Sequence, residues 1–359
     1  MNLSVGIVGL ANVGKSTLFN ALLKKQVAAS ANYPFTTIEP NVGVVEVLDE
    51  RLDVLMDVVE KSEGLSPNFK IIPAIVKFVD IAGLVRGAHK GEGLGNQFLS
   101  HIREVDAIVF VIRDFKNPDI IKTGSDPVDD LEVLKSELLL KDLETLDRRL
   151  ESLQRELKTA GQNDPKRIVL EILEKARRLV ETGKWLAGIL DFDELEKIKD
   201  LALLSAKKFI VVLNSDEADL KREVSVDEAI RICAKLEEEF GGLSADEQKE
   251  YLKELEIEDS GLEKLIKKAY EVLGLVTFLT AGAKEVRAWT IKKGTLAPAA
   301  AGVIHGDFER GFIAADIVDF DKFVEAGGWK SAREKGFVKT IGKGEVLPED
   351  VVVEFKFSV

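Results

Sequence analysis

The octapeptide Gly9-Leu10-Ala11-Asn12-Val13-Gly14-Lys15-Ser16 has the residue types and spacing to hold a polyphosphate. Two glycines allow the backbone to curl until its N–H groups converge on phosphate oxygens. Lys15 can reach the β- and γ-phosphates, and the Ser16 hydroxyl can ligate Mg²⁺. Asn12, Val13, Gly14, Lys15, Ser16 and Thr17 therefore form the candidate phosphate-binding set. An apolar run at 3–8 precedes the loop and a helix-forming stretch at 17–25 follows it. This strand–loop–helix setting points the positive end of a helix dipole at the bound anion.

Two further constellations fit the same chemistry. Asp80-Ile81-Ala82-Gly83 follows an apolar strand, so Asp80 is expected to hold Mg²⁺ through water and the Gly83 N–H to sense a γ-phosphate. The glycine-rich stretch 84–99 reads as a loop that orders around that phosphate. Tyr33-Pro34-Phe35-Thr36-Thr37-Ile38-Glu39-Pro40 resembles a second switch, with Thr37 offering a hydroxyl to Mg²⁺. Lys15, Thr37 and Gly83 are the candidate catalytic residues, and Ser16, Thr37 and Asp80 the candidate metal ligands.

At Asn214-Ser215-Asp216-Glu217, where P-loop switch proteins read the base, GTPases usually carry Asn-Lys-x-Asp. Here a glutamate replaces the aspartate and no lysine flanks the base. Guanine would meet a longer, misplaced carboxylate, and a site with mismatched polar groups discriminates strongly. The amino group of adenine could instead donate to Asn214 or to backbone carbonyls. Asn214, Ser215 and Glu217 are therefore candidate base-side residues, joined by Cys233, Ala234 and Lys235, whose segment resembles the last base-side loop. Cys233 reads as a small loop residue rather than a redox centre.

These residues need a scaffold, and the sequence indicates an α/β one. Short β-rich runs occur at 3–8, 42–48, 75–80, 107–112 and 209–213, separated in several places by helix-like segments. The last three runs are nearly continuously apolar, as expected of strands covered on both faces. Between 112 and 209, Leu143, Leu146, Leu150, Leu153 and Leu157 alternate by three and four residues. The turn Ala160-Gly161-Gln162-Asn163-Asp164-Pro165 and a second amphipathic stretch follow, predicting an antiparallel helical hairpin. From residue 277, short runs rich in β-formers suggest a small β-rich module, with strands at 302–306, 311–313 and 351–357.

The 359 residues suffice for two or three domains. No apolar run approaches the roughly 20 residues of a membrane span, so no membrane association is expected. The single cysteine suits a reducing cytoplasm and excludes an intramolecular disulfide framework. The net charge of −13 divides as −4 over 1–130, −2 over 131–200, −7 over 201–277 and 0 over 278–359. Any RNA contact must therefore be local.

Together with Asp80-Ile81-Ala82-Gly83-Leu84-Val85, the runs Gly91-Glu92-Gly93-Leu94-Gly95-Asn96, Lys284-Glu285-Val286-Arg287-Ala288-Trp289 and Ile304-His305-Gly306-Asp307-Phe308-Glu309 resemble the Obg-like ATPases. This family, called YchF in bacteria, lies within the translation-factor class of P-loop GTPases. The resemblance spans essentially the whole chain. It implies a Ras-like P-loop domain over 1–128 and 204–277, an inserted helical hairpin over 129–203 and a C-terminal β-grasp (TGS) domain over 278–359. It also implies a monomeric cytoplasmic enzyme that hydrolyses ATP in preference to GTP and associates with ribosomes.

Leu84 matches the family's hydrophobic residue in place of a water-orienting glutamine, and Asn12 matches an asparagine that helps hold K⁺ in related proteins. Many relatives carry a histidine where this chain has Phe110, so no catalytic histidine transfers to that position. His89 and His101 read as structural. A slow Mg²⁺-dependent ATPase switch is the reading these residues favour. The alternatives are an ATP-binding adaptor with incidental hydrolysis, which the apolar Leu84 and Phe110 would suit, and a GTPase.

Overall fold

The apolar runs at 3–8, 107–112 and 209–213 become neighbouring parallel strands whose carboxyl ends share one edge. The computed structural model describes residues 3–29, 41–81, 94–116, 126–158, 164–223 and 226–358. Its first seven strands are β1 (Ser4–Val8), β2 (Val42–Val47), β3 (Lys70–Ile72), β4 (Ala74–Asp80), β5 (Ala107–Asp114), β6 (Lys208–Ser215) and β7 (Ile230–Ile232). By their internal contacts the described residues fall into two compact units, one within 1–3, 22–77 and 266–359, the other within 4–21 and 78–265.

In the second unit β1 pairs in parallel with β5, β5 with β6, and β6 with β7. Just past β4, the Ile81 amide donates to the Ile7 carbonyl of β1 at 3.2 Å. Residues 107–112 of β5 are all fully buried, as a strand covered on both faces requires. β4 departs from that expectation: Ala74, Val76 and Phe78 are buried, whereas Ile75, Lys77 and Val79 are only half-buried. Parallel strands place their following loops on the same edge. The 9–16 loop after β1, Asp80 in β4, Asp114 in β5, Asn214 in β6 and Cys233 after β7 are thus delivered to one side.

Five helices matter for the site and its insertion: α1 (Lys15–Ala29), α2 (Arg51–Ser62), α3 (Leu94–Glu104), α4 (Pro127–Leu157) and α5 (Lys166–Glu181). The predicted hairpin is α4 and α5. α4 opens with Asp126, whose carboxylate accepts from the Val128 amide at 3.0 Å, and with Pro127 in its first turn. Leu146, Leu150, Leu153 and Leu157 of α4 are buried, as are Ile172, Leu173, Ala176 and Val180 of α5. Each buried leucine contributes roughly 2 kcal/mol. The ion pairs Arg177–Asp147 (2.7 Å) and Lys166–Glu156 (2.7 Å) are partly exposed, and such pairs contribute about 1 kcal/mol at most. The leucine ladder, not charge, holds the hairpin.

At the hairpin base, fully buried Asp142 accepts from the amides of Leu204 (2.8 Å) and Ser205 (2.7 Å) and from the Ser205 hydroxyl (2.6 Å). These bonds fix the segment that feeds β6.

The first unit contains a mixed sheet in the order β11-β10-β12-β8-β9-β3. Its later strands are β8 (Leu275–Gly282), β9 (Glu285–Lys292), β10 (Phe312–Asp319), β11 (Lys339–Ile341) and β12 (Val351–Phe357). Successive residues of β8 serve opposite faces. Phe278 packs with Ile291, Ala300 and Phe312, whereas Leu279 packs with Leu55 and Val59 of α2 and with Phe323. The α/β fold with an inserted helical hairpin and a further β-sheet module is therefore as expected.

Two further local expectations are overturned, the first being the end of the glycine-rich stretch, where residues 94–99 open α3 instead of continuing the loop. Second, residues 302–306 are not a strand: Gly302, Val303 and Ile304 end the helix Ala297–Ile304, and Gly306 starts the short helix Gly306–Arg310. Pro298 in the first turn and the alanines at 297 and 299–301 favour helix strongly enough to override the β-branched Val303 and Ile304. A Cβ at Gly302 would lie 2.5 Å from the Glu309 carboxylate, which would have to swing aside.

Asp142→Ala leaves three buried donors without their acceptor, a loss of about 3 kcal/mol. Hydrogen exchange should show Leu204 and Ser205 amides opening far faster in the variant, with the β8–β9 amides unchanged.

Candidate functional site

A cleft of about 860 Å³ opens at the carboxyl edge of the parallel strands. That volume falls in the range that encloses nucleotide-sized ligands. Asn12, Gly14, Lys15, Ser16 and Thr17 line one part of it, and Asn214, Ser215, Glu217, Cys233, Ala234 and Lys235 another. The structure thus gathers the phosphate-side and base-side candidates into one cavity. Val13 is buried beneath the loop instead of lining the cleft. Phe115, Lys116, Asp216, Leu236, Glu238 and Glu239 also line it, and sequence reasoning had not singled them out.

The phosphate loop takes its shape from two backbone positions. Asn12 has φ +61° and Gly14 φ +91°, both in the left-handed region. An alanine at 14 would suffer about 1 kcal/mol of backbone strain. The larger obstacle is steric, because its Cβ would lie 2.1 Å from Asn214 Nδ2. That amide donates to the Val13 carbonyl at 2.9 Å, while Asn214 Oδ1 accepts from the Ala234 amide at 3.0 Å. Asn214 therefore ties the phosphate loop to the last base-side loop. This role was not evident when the residue was read only as an acceptor for adenine.

Lys15 is buried, and its ammonium donates to the Gly9 (3.1 Å) and Leu10 (2.7 Å) carbonyls. Burial lowers its pKa, and the charge of Asp80 partly restores it. Burial likewise raises the Asp80 carboxyl, opposed by Lys15. A phosphate oxygen entering here would compensate the lysine charge in a poorly hydrated setting, where the attraction is strong. Mg²⁺ takes oxygen donors, commonly one or two from protein with the rest from phosphates and water. The exposed Ser16 side chain at the start of α1 and the Asp80 carboxylate fit that donor set. Thr37, Gly83, Leu84 and His89 lie outside the described residues.

The base-side loop rests on a charge cluster around buried Arg231. Asp114, at the end of β5, pairs with Arg231 of β7 and with Arg222. The Arg231 guanidinium also donates to Ser215 Oγ at 2.6 Å and to the Glu223 carbonyl at 3.0 Å. The two arginines outweigh desolvation and hold the Asp114 carboxyl below its usual range. Ser215, which stands where GTPases usually carry lysine, is thus committed to Arg231, and a lysine there would bury a second cation against it. The cluster joins residues 101 and 117 positions apart in sequence, a spacing that carries no motif.

Cys233 precedes the helix Ala234–Phe240, and burial pushes its thiol up, so it stays protonated. Phe110 is fully buried against Phe209 (ring centroids 5.5 Å apart) and Trp185 (5.9 Å) and does not line the cleft. His101 is an exposed residue of α3 and does not line it either.

A glycine-bearing phosphate loop, its buried lysine and a base-side loop at the edge of parallel strands define a P-loop nucleotide-binding protein of the Ras-like class. Residues 4–175 match the family described as 50S ribosome-binding GTPase, and residues 275–358 the YchF GTPase C-terminal family, described as a protein of unknown function. The chain is 45% identical to the ribosome-binding ATPase YchF of Bacillus subtilis and 42% identical to that of Haemophilus influenzae, each alignment covering all of both chains. It is 37% identical to the YchF GTPase of Schizosaccharomyces pombe, whose solved structure superposes with a TM-score of 0.85 over 99% of this chain and 98% of that one. This chain belongs to the YchF family.

Asp114→Asn should cost about 3 kcal/mol at pH 7 by leaving Arg231 short of its counter-charge. The folded Asp114 pKa is depressed, so its contribution is present above the unfolded value of about 3.9 and disappears as pH falls through the folded value. Opening free energies from hydrogen exchange in β5 and β6 should therefore differ between variant and unaltered protein at pH 7 and converge as the pH is lowered through the folded Asp114 value.

Proposed function

We propose that this protein is a slow Mg²⁺-dependent ATPase that works as a nucleotide switch on the ribosome and prefers ATP to GTP. The observation that carries the reading is the single cleft that holds Lys15 and Ser16 together with Asn214, Ser215 and Glu217. Relatives matched over their full length and named ribosome-binding ATPases support hydrolysis and ribosome association. The three-part division at 1–128 with 204–277, 129–203 and 278–359, a monomeric state and a cytoplasmic location belong to the same proposal. No helix among the described residues is long and apolar enough to cross a membrane.

Ser16 and Asp80, with Thr37, would hold Mg²⁺, which when bound neutralises charge on the transferred phosphoryl group. Lys15 neutralises phosphate charge and the loop amides orient the chain of phosphates. The Gly83 N–H is assigned to the γ-phosphate. Phe110 has no access to the cleft, so it neither orients water nor obstructs it. The low intrinsic rate follows from positioning without a strong general base, and a bound ribosome would raise it.

The adenine preference rests on Glu217 and on the absence of a lysine at 215, which Arg231 now explains physically. Titration calorimetry with non-hydrolysable analogues should give tighter binding for ATP than for GTP. Equal or tighter binding of the GTP analogue would remove the adenine assignment.

Asn12, exposed and held at φ +61°, is the residue assigned to K⁺. Multiple-turnover hydrolysis should rise on adding ribosomes and should be faster in potassium than in sodium buffer. A rate indifferent to ribosomes would favour the adaptor reading, and one indifferent to the cation would discard the potassium assignment.

A further inference from the structure

Glu217 does not stand alone at the base side of the cleft. The hydroxyl of Tyr251, from the helix Ala245–Glu254, donates to Glu217 Oε1 at 3.1 Å. The tyrosine is held in place from its other side. Its ring packs edge-on against Phe240 at 5.6 Å, within an apolar cluster that includes Cys233, Leu236 and Leu220. Two of those anchors, Cys233 and Leu236, also line the cleft, and Leu220 directly follows the turn that Glu217 begins. Gln248, one turn earlier on the same helix, donates to the Phe240 (2.8 Å) and Leu243 (3.1 Å) carbonyls. The phenol is therefore presented to Glu217 by packed structure, not by a freely swinging side chain.

This contact bears on how a carboxylate reads a purine. Guanine presents two parallel donors, its ring N–H and its exocyclic amine, and a carboxylate receives both only when its two oxygens face the base edge together. Adenine presents one donor on that edge, which a single oxygen satisfies. A carboxylate with one oxygen turned toward a fixed phenol has its plane set and only the other oxygen available.

We infer that Tyr251 is a specificity-determining positioning residue, which holds Glu217 through Oε1 and so leaves the cleft fitted to the one-donor edge of adenine and mismatched to the two-donor edge of guanine. The inference rests on the adenine reading of the cleft. Glu217 also holds the Tyr251 hydroxyl protonated, keeping it a donor.

The test is Tyr251→Phe, which keeps the ring against Phe240 and removes only the hydroxyl. Calorimetry with non-hydrolysable ATP and GTP analogues is run on four full-length proteins: unaltered, Tyr251→Phe, Glu217→Ala and the double variant. One well-placed hydrogen bond corresponds to roughly three- to tenfold in affinity. The GTP analogue should bind about fivefold tighter to Tyr251→Phe while ATP binding shifts by less than about twofold. Tyr251→Phe should have no such effect once Glu217 is alanine, because the two residues act through one contact. A merely structural tyrosine would weaken both nucleotides alike, and that result would overturn the inference, as would an unchanged selectivity ratio. If the unaltered protein shows no preference for ATP, the adenine reading itself falls and takes this inference with it. Preference retained in both the unaltered protein and Tyr251→Phe removes only the role of the tyrosine.

Discussion

The side-chain amide of Asn214 fills the space that a side chain on residue 14 would need, and the arrangement of the cleft depends on that contact. With Gly14 in a left-handed conformation and free of a Cβ, the amide reaches the Val13 carbonyl on one side and the Ala234 amide on the other. Phosphate loop, β6 terminus and last base-side loop are thereby held in one register. A nucleotide spans those segments, so its affinity depends on their separation, and one fixed amide sets it. Pre-organisation of this kind lowers the ordering cost of binding.

Around that staple the site is built from charges taken out of water in compensated groups. Lys15 and Asp80 each suffer from burial and each relieves the other. Asp114 is shared by Arg222 and Arg231, and Arg231 reaches Ser215 and a backbone carbonyl besides. Breaking such a group by removing one member costs more than the group contributes as a whole, because the remaining charge stays buried. These clusters therefore fix geometry more than they add stability. The Lys15 group lines the cleft and can take an incoming anion, whereas Arg231 is bound to Asp114, Ser215 and a backbone carbonyl, which suits phosphate binding at the first and support at the second.

Legibility in the sequence followed the range of the interactions. The phosphate loop, Asp80 at a strand end and the leucine ladder of the hairpin are local patterns, and their residues lie where local geometry puts them. The segment 302–306 looks like a strand in a short window because of its two β-branched residues, but the alanine-rich helix that ends at Ile304 decides the conformation. Phe110 attracted attention for what it replaced, yet its neighbours Trp185 and Phe209 make it a core residue. Ser215 was read as a missing lysine, and its actual partner, Arg231, lay on another strand.

The sequence by itself determined the ligand class and the succession of elements, because a phosphate loop and the period of apolar residues are encoded within a few consecutive positions. Tertiary structure decided how the base-side residues are used. Asn214 became a staple, Ser215 a partner of buried Arg231, and Glu217 an acceptor for Tyr251. Each of those bonds joins segments far apart in sequence, and hydrogen-bond geometry over such separations exists only once the sheet has set strand beside strand.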